Sequence, residues 1–65
     1  MRHGGDSYYV LVNKNGVEFT RDDVIEGEYI VDFDSVEDAE DELRYLIEDG
    51  ELDEADGWLV ERVRW

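Results

Sequence analysis

The sequence predicts an α+β fold: a three- to four-stranded antiparallel or mixed sheet in the order β-β-β-α-β, with one amphipathic acidic helix packed on one face. Three observations lead there. Apolar residues recur at helical spacing from Ser35 to Gly50. An Asn-Gly pair at Asn15-Gly16 separates two runs rich in β-branched and aromatic residues. The chain then closes on Trp58–Trp65, WLVERVRW, a run with strand composition.

Taken in order, residues 1–6 read as a flexible tail, since Gly4 and Gly5 are costly to order and have no apolar neighbours. His3 stands third from the amino terminus, where nitrogen ligands can bind Cu(II) or Ni(II) in a square plane; a chance histidine in a tail accounts for it without design. Ser7–Val12, SYYVLV, is a strand by composition. Asn13-Lys14-Asn15-Gly16 should turn the chain, with Val17–Thr20 returning as the antiparallel partner. Arg21–Gly27, RDDVIEG, reads as a loop or a short turn of helix anchored by Val24 and Ile25. Glu28–Phe33 alternates, with Tyr29, Val31 and Phe33 on one face and Glu28, Ile30 and Asp32 on the other, and predicts a third strand leading through Asp34 into the helix.

In the helix, Val36, Ala39, Leu43, Leu46 and Ile47 share the core face. Ser35 is the expected N-cap, accepting from the amide of Asp38, whose carboxylate occupies the third position of a capping box. Glu37, Asp38 and Glu40 sit where the helix dipole favours negative charge, and Gly50 can adopt the left-handed conformation that ends a helix. The solvent side carries Glu37, Asp38, Glu40, Asp41, Glu42, Glu48 and Asp49 against a single base, Arg44. After Gly50, ELDEADG is a carboxylate-rich linker without periodicity. The last strand has two mixed faces, Leu59, Glu61, Val63, Trp65 and Trp58, Val60, Arg62, Arg64, and its pattern leaves open which one meets the helix. One helix covers one side of a sheet, so Tyr9, Leu11, Ile30 and one Trp are expected on the open side. There they would either mark a partner or dimer surface or pack beneath the Arg21–Gly27 loop.

Composition narrows the function. Sixty-five residues make one domain near the lower size limit for a core without staples, and the chain has no cysteine, hence neither disulfides nor a thiolate zinc site. Apolar residues are 42% of the chain, too many for a disordered polymer. The amino terminus lacks the apolar centre of a signal peptide, and no run approaches the roughly 20 residues of a membrane span, so a cytoplasmic protein is expected. Net charge is −14, which repels nucleic acid and anionic membranes and favours a basic partner. Residues 32–56 hold thirteen acids and one base, net −12. The acidity therefore belongs to the helix and its flanks.

No catalytic set emerges. Ser7, Thr20 and Ser35 have no histidine partner besides His3, and no glycine-rich phosphate loop is present, so the chain is expected not to be an enzyme and to need no cofactor. Asp49–Asp56 offers alternating oxygen ligands, but counted from Asp49 the sixth EF-hand position is Glu54 instead of Gly and the twelfth is Val60 instead of Glu; no metal is expected.

Two functions of different class fit. In the first, the chain is a non-enzymatic inhibitor that binds a basic nucleic-acid-binding protein by imitating DNA. Duplex DNA carries a charge about every 1.7 Å, and a helix rising about 1.5 Å per residue with this many carboxylates approaches that density along one side. The partner-binding residues would be the seven helix acids just named, Glu37, Asp38, Glu40, Asp41, Glu42, Glu48 and Asp49, with Asp32, Asp34, Glu51, Asp53, Glu54 and Asp56 extending the surface. In size, charge and lack of catalytic groups the chain resembles small phage-encoded inhibitors of bacterial defence, in particular anti-CRISPR proteins that look like DNA to a Cas complex. The resemblance is one of type across the whole chain and carries no motif. It implies an inhibitor in the host-cell cytoplasm. The open sheet face, for its part, leaves the chain a monomer or a homodimer through that face. In the second, the chain is a small acidic housekeeping or interaction domain of a halophilic organism, in keeping with one Lys against five Arg. The clustering of acid in one segment argues against that, because adaptation to solvent spreads charge over all exposed faces.

Overall fold

A computed structural model describes residues 7–64. The expected tail, with His3, and Trp65 lie outside the described residues. The fold is α+β: strands β1 (Ser7–Val12), β2 (Thr20–Asp23), β3 (Gly27–Ile30), β4 (Asp32–Phe33) and β5 (Leu59–Arg64), and one helix, α1 (Val36–Glu48), between β4 and β5. All strand pairs are antiparallel, in two sheets: β4-β1-β5 and the hairpin β2-β3.

β1 organises the sheet. Its whole length pairs with β5, from Ser7 opposite Arg64 to Val12 opposite Leu59. Its other edge is shared. After the Asn13–Gly16 turn, in which Asn13 Oδ1 accepts from the amides of Asn15 (2.9 Å) and Val17 (3.0 Å), the returning chain meets β1 only at Glu18, bridged to Val12, and at Phe19, whose amide donates to Leu11 O at 2.8 Å. The remainder of that edge is taken by β4, with Phe33 opposite Tyr9 and Asp32 opposite Val10. The Val31 amide donates to Phe19 O at 3.1 Å and joins the two short segments, so the residues between them are looped out.

That loop is the β2-β3 hairpin, and it corrects three expectations. Val17–Thr20 does not return as a full strand, because β4 holds the part of the β1 edge it would need. Arg21–Gly27 is not a loop or helical turn but the upper half of a hairpin: Thr20 pairs with Ile30, Arg21 with Tyr29, Asp22 with Glu28 and Asp23 with Gly27. Glu28–Phe33 is not one strand; it breaks at Val31 and serves two sheets. The hairpin closes on three residues, Val24, Ile25 and Glu26. Asp23 Oδ1 accepts from the Ile25 amide at 2.8 Å, and Gly27 has φ +82°, the left-handed residue that completes this loop length. Nor do Val24 and Ile25 anchor anything: both are fully exposed.

α1 forms where the periodicity places it. The Ser35 hydroxyl accepts from the Asp38 amide at 3.1 Å. At the other end the amides of Gly50 and Glu51 donate to Ile47 O (3.1 Å) and Leu46 O (2.9 Å), satisfying carbonyls that the last turn leaves without a partner. Ala39 and Leu46 are fully buried and meet Leu11 and Phe19 to form the core, against which Tyr9, Val31, Phe33, Leu43, Leu52, Trp58 and Val60 pack. Because Tyr9 lies opposite Phe33 and Leu11 opposite Val60, these four share the face beneath α1. This resolves the last strand: its Trp58, Val60 face is inward. It also corrects the open-face assignment of Tyr9, Leu11 and Ile30. Tyr9 and Leu11 lie under the helix, Trp58 meets Phe19 edge-on with ring centroids 6.3 Å apart, and Ile30 belongs to the hairpin. The far face of the sheet carries Val10 and Val12 instead, both buried.

The linker has structure of its own. Leu52 packs on the core, and Glu54–Asp56 forms a single 3-10 turn whose Ala55 amide donates to Asp53 Oδ1 at 2.9 Å. The Lys14 amide donates to Asp56 O at 2.9 Å and ties this segment to the β1 turn.

Candidate acidic interface

A helix advances about 100° per residue, which divides the acids of α1 between two lines on its outer side. Glu37, Asp41 and Glu48, with Arg44 among them, run along the side directly away from the core. Asp38, Glu42, Tyr45 and Asp49 run along the adjoining line. Glu40 stands on the opposite flank. Glu42 is half-buried and the other six acids are exposed. The six carboxylates of these two lines, over a helix of about 20 Å, give roughly one per 3 Å, short of the duplex density and close to the 3.4 Å spacing of one DNA strand.

The flanking acids divide. Glu51 joins the helix surface beside Glu42, since Arg21 reaches both, at 3.1 Å and 3.8 Å. Asp34 is exposed just ahead of the N-cap. Asp53, Glu54 and Asp56 are exposed on the 3-10 turn, where one oxygen of Asp53 is engaged in capping. Asp32 is not part of the surface. It lies opposite Val10 and alternates with Phe33, which places it on the sheet face turned away from α1.

Two residues of the site escaped the sequence reading. Arg21 comes from β2 and brings positive charge to the edge of the acidic face, its guanidinium 5.1 Å from the centre of the Phe19 ring. Nothing in the local sequence signals this, because its partners Glu42 and Glu51 are far along the chain. Tyr45 was legible: it lies off the apolar stripe, one turn from Asp41 and Glu42 on one side and from Glu48 and Asp49 on the other. It is 59% exposed, an aromatic ring set among carboxylates. Arg44 partly offsets Asp41 at 3.6 Å.

Among the described residues there is no cleft to enclose a small substrate and no group of three His, Asp or Glu side chains placed to hold a metal ion. No described helix is long and apolar enough to cross a membrane. No protein family, curated protein or solved structure matches this chain.

Proposed function

We propose that the chain is a non-enzymatic inhibitor that occupies the phosphate-binding groove of a basic nucleic-acid-binding protein, such as a CRISPR–Cas complex in the host cytoplasm. The observation that carries this reading is the run of exposed carboxylates on α1 at the spacing of one DNA strand, with Tyr45 in its midst. A groove built for a duplex meets phosphates on the strand it touches, so single-strand density is sufficient to replace them. Charge supplies steering and register, while affinity needs an apolar anchor, and Tyr45 is of the type that dominates interface energies. Glu42 and Glu51 contribute less, since Arg21 already answers them.

The test is displacement of labelled DNA from a purified Cas effector complex. The wild-type chain should displace it, with an affinity that falls steeply as NaCl rises. Asp41→Asn, Glu48→Gln and Asp49→Asn together, the three acids around Tyr45 that Arg21 does not reach, should abolish displacement and leave the core face intact. Glu18→Gln, Glu26→Gln and Glu61→Gln remove equal charge elsewhere and should retain it. Equal loss in both triple variants would reduce the interaction to bulk electrostatics and end the imitation reading.

A further inference from the structure

The hairpin tip presents a second surface whose chemistry differs from that of α1. Val24 and Ile25 are 103% and 89% exposed, two adjacent branched aliphatic side chains at turn positions where polar residues are the ordinary choice. The turn that holds them is well defined: Asp23 pairs with Gly27 across its base, Asp23 Oδ1 binds the Ile25 amide at 2.8 Å, and Thr20 Oγ1 donates to Glu28 Oε2 at 2.8 Å lower on the hairpin. A tip ordered in this way loses little conformational freedom when something covers it. Asp22, Asp23, Glu26 and Glu28 flank the two residues in the chain and are all exposed, and residues 22–28 contain no base.

We propose that this tip is a docking finger for a basic amphipathic helix on a protein partner, a surface distinct from the acidic face and independent of the function proposed for it. Two exposed apolar side chains in a segment with four exposed acids and no base call for an occupant that offers an apolar seat with positive charge beside it. Anionic membranes and nucleic acid fail on charge. A second copy of this chain would bring the same acids to the contact, and like charges facing each other cost affinity. On an amphipathic helix, the grooves between rows of apolar side chains accept a pair of neighbouring branched residues, and lysines flanking the stripe reach the neighbouring acids.

Two synthetic helical peptides of equal positive charge test this, one with leucines at helical spacing among lysines, the other with each leucine replaced by glutamine. Each is titrated into the full chain, with binding read from backbone amide NMR shifts. The leucine peptide should shift the amides of residues 22–28. Val24→Ser with Ile25→Ser should weaken it at least about tenfold, the loss expected when two aliphatic side chains no longer leave water. The glutamine peptide should bind both proteins equally. Unchanged amide positions in β1 and α1 certify that the variant is folded, and Asp22→Asn with Glu26→Gln should weaken the leucine peptide in a salt-dependent way while leaving the tip geometry alone. The proposal is overturned if the leucine peptide produces no shifts at residues 22–28, or if the Val24, Ile25 variant binds it as tightly as wild type. It is also overturned if sedimentation shows self-association that this variant abolishes, since the occupant is then a second copy.

Discussion

Gly27 and Gly57 occupy the same backbone region, φ +82° and +71°, but differ in surroundings. A Cβ at Gly27 would meet nothing within 4 Å; at Gly57 it would stand 3.2 Å from Lys14 Cβ. Lys14 cannot easily yield, because its amide is bound to Asp56 O at 2.9 Å and its ammonium to Ala55 O at 3.2 Å. Alanine at either position carries the penalty of left-handed backbone, about 1–2 kcal/mol. We therefore expect Gly57→Ala to lower the urea midpoint more than Gly27→Ala does. Equal effects would mean that the Lys14 turn moves freely against the 3-10 segment.

At the level of elements, the β2-β3 hairpin is extruded from the fold, and the side-chain link from its strands to α1 is Arg21. Both ion pairs involve side chains about two-fifths exposed, so solvent screens them and their combined worth is below about 1 kcal/mol. Arg21→Met removes both ion pairs and the guanidinium that lies over Phe19, and should lower global stability by only about 1 kcal/mol. It should nevertheless speed hydrogen exchange at the Thr20–Ile30 amides relative to those of β1, since a marginal hairpin loses its tether. Unaltered exchange there would assign the restraint to the backbone bonds of Phe19 and Val31 alone. The same hairpin shows why its own sequence was misread. The β-branched pair Val24-Ile25 looked like an anchor and Arg21–Gly27 like a loop or helical turn, whereas the Asp23 side chain and the Gly27 conformation together specify a three-residue hairpin turn.

For the molecule as a whole, charge opposes folding. Thirteen acids against one base in residues 32–56 leave far more repulsion than Arg21 and Arg44 relieve. Salt weakens both the repulsion and the ion pairs, and the repulsion is the larger, so stability should rise with NaCl. Urea unfolding in dilute and in concentrated NaCl measures this, and a midpoint indifferent to salt would refute it. The core beneath this surface is small, with Leu11, Phe19, Ala39 and Leu46 at its centre. Small changes in surface energy should therefore be visible as shifts of the midpoint.

By itself the sequence determined α1, its Ser35 cap, its Leu46 and Ala39 face, β1 and the Asn13–Gly16 turn, because each rests on groups within a few residues of one another. It also determined that acid lines the outer side of the helix, since the same periodicity that buries Leu46 exposes Asp41 and Glu48. Only the tertiary structure decided how the edge of β1 is divided. A strand edge has a fixed number of amides and carbonyls to pair, and once residues 18–19 and 32–33 share them, the intervening chain must leave the sheet and pair with itself. From that competition follow the break at Val31, the isolation of Val24 and Ile25 at a tip, and the placement of Arg21 against Glu42 and Glu51. The inward turn of Trp58 and Val60 was likewise settled by register with Leu11, a distant partner that alternation within β5 could not name.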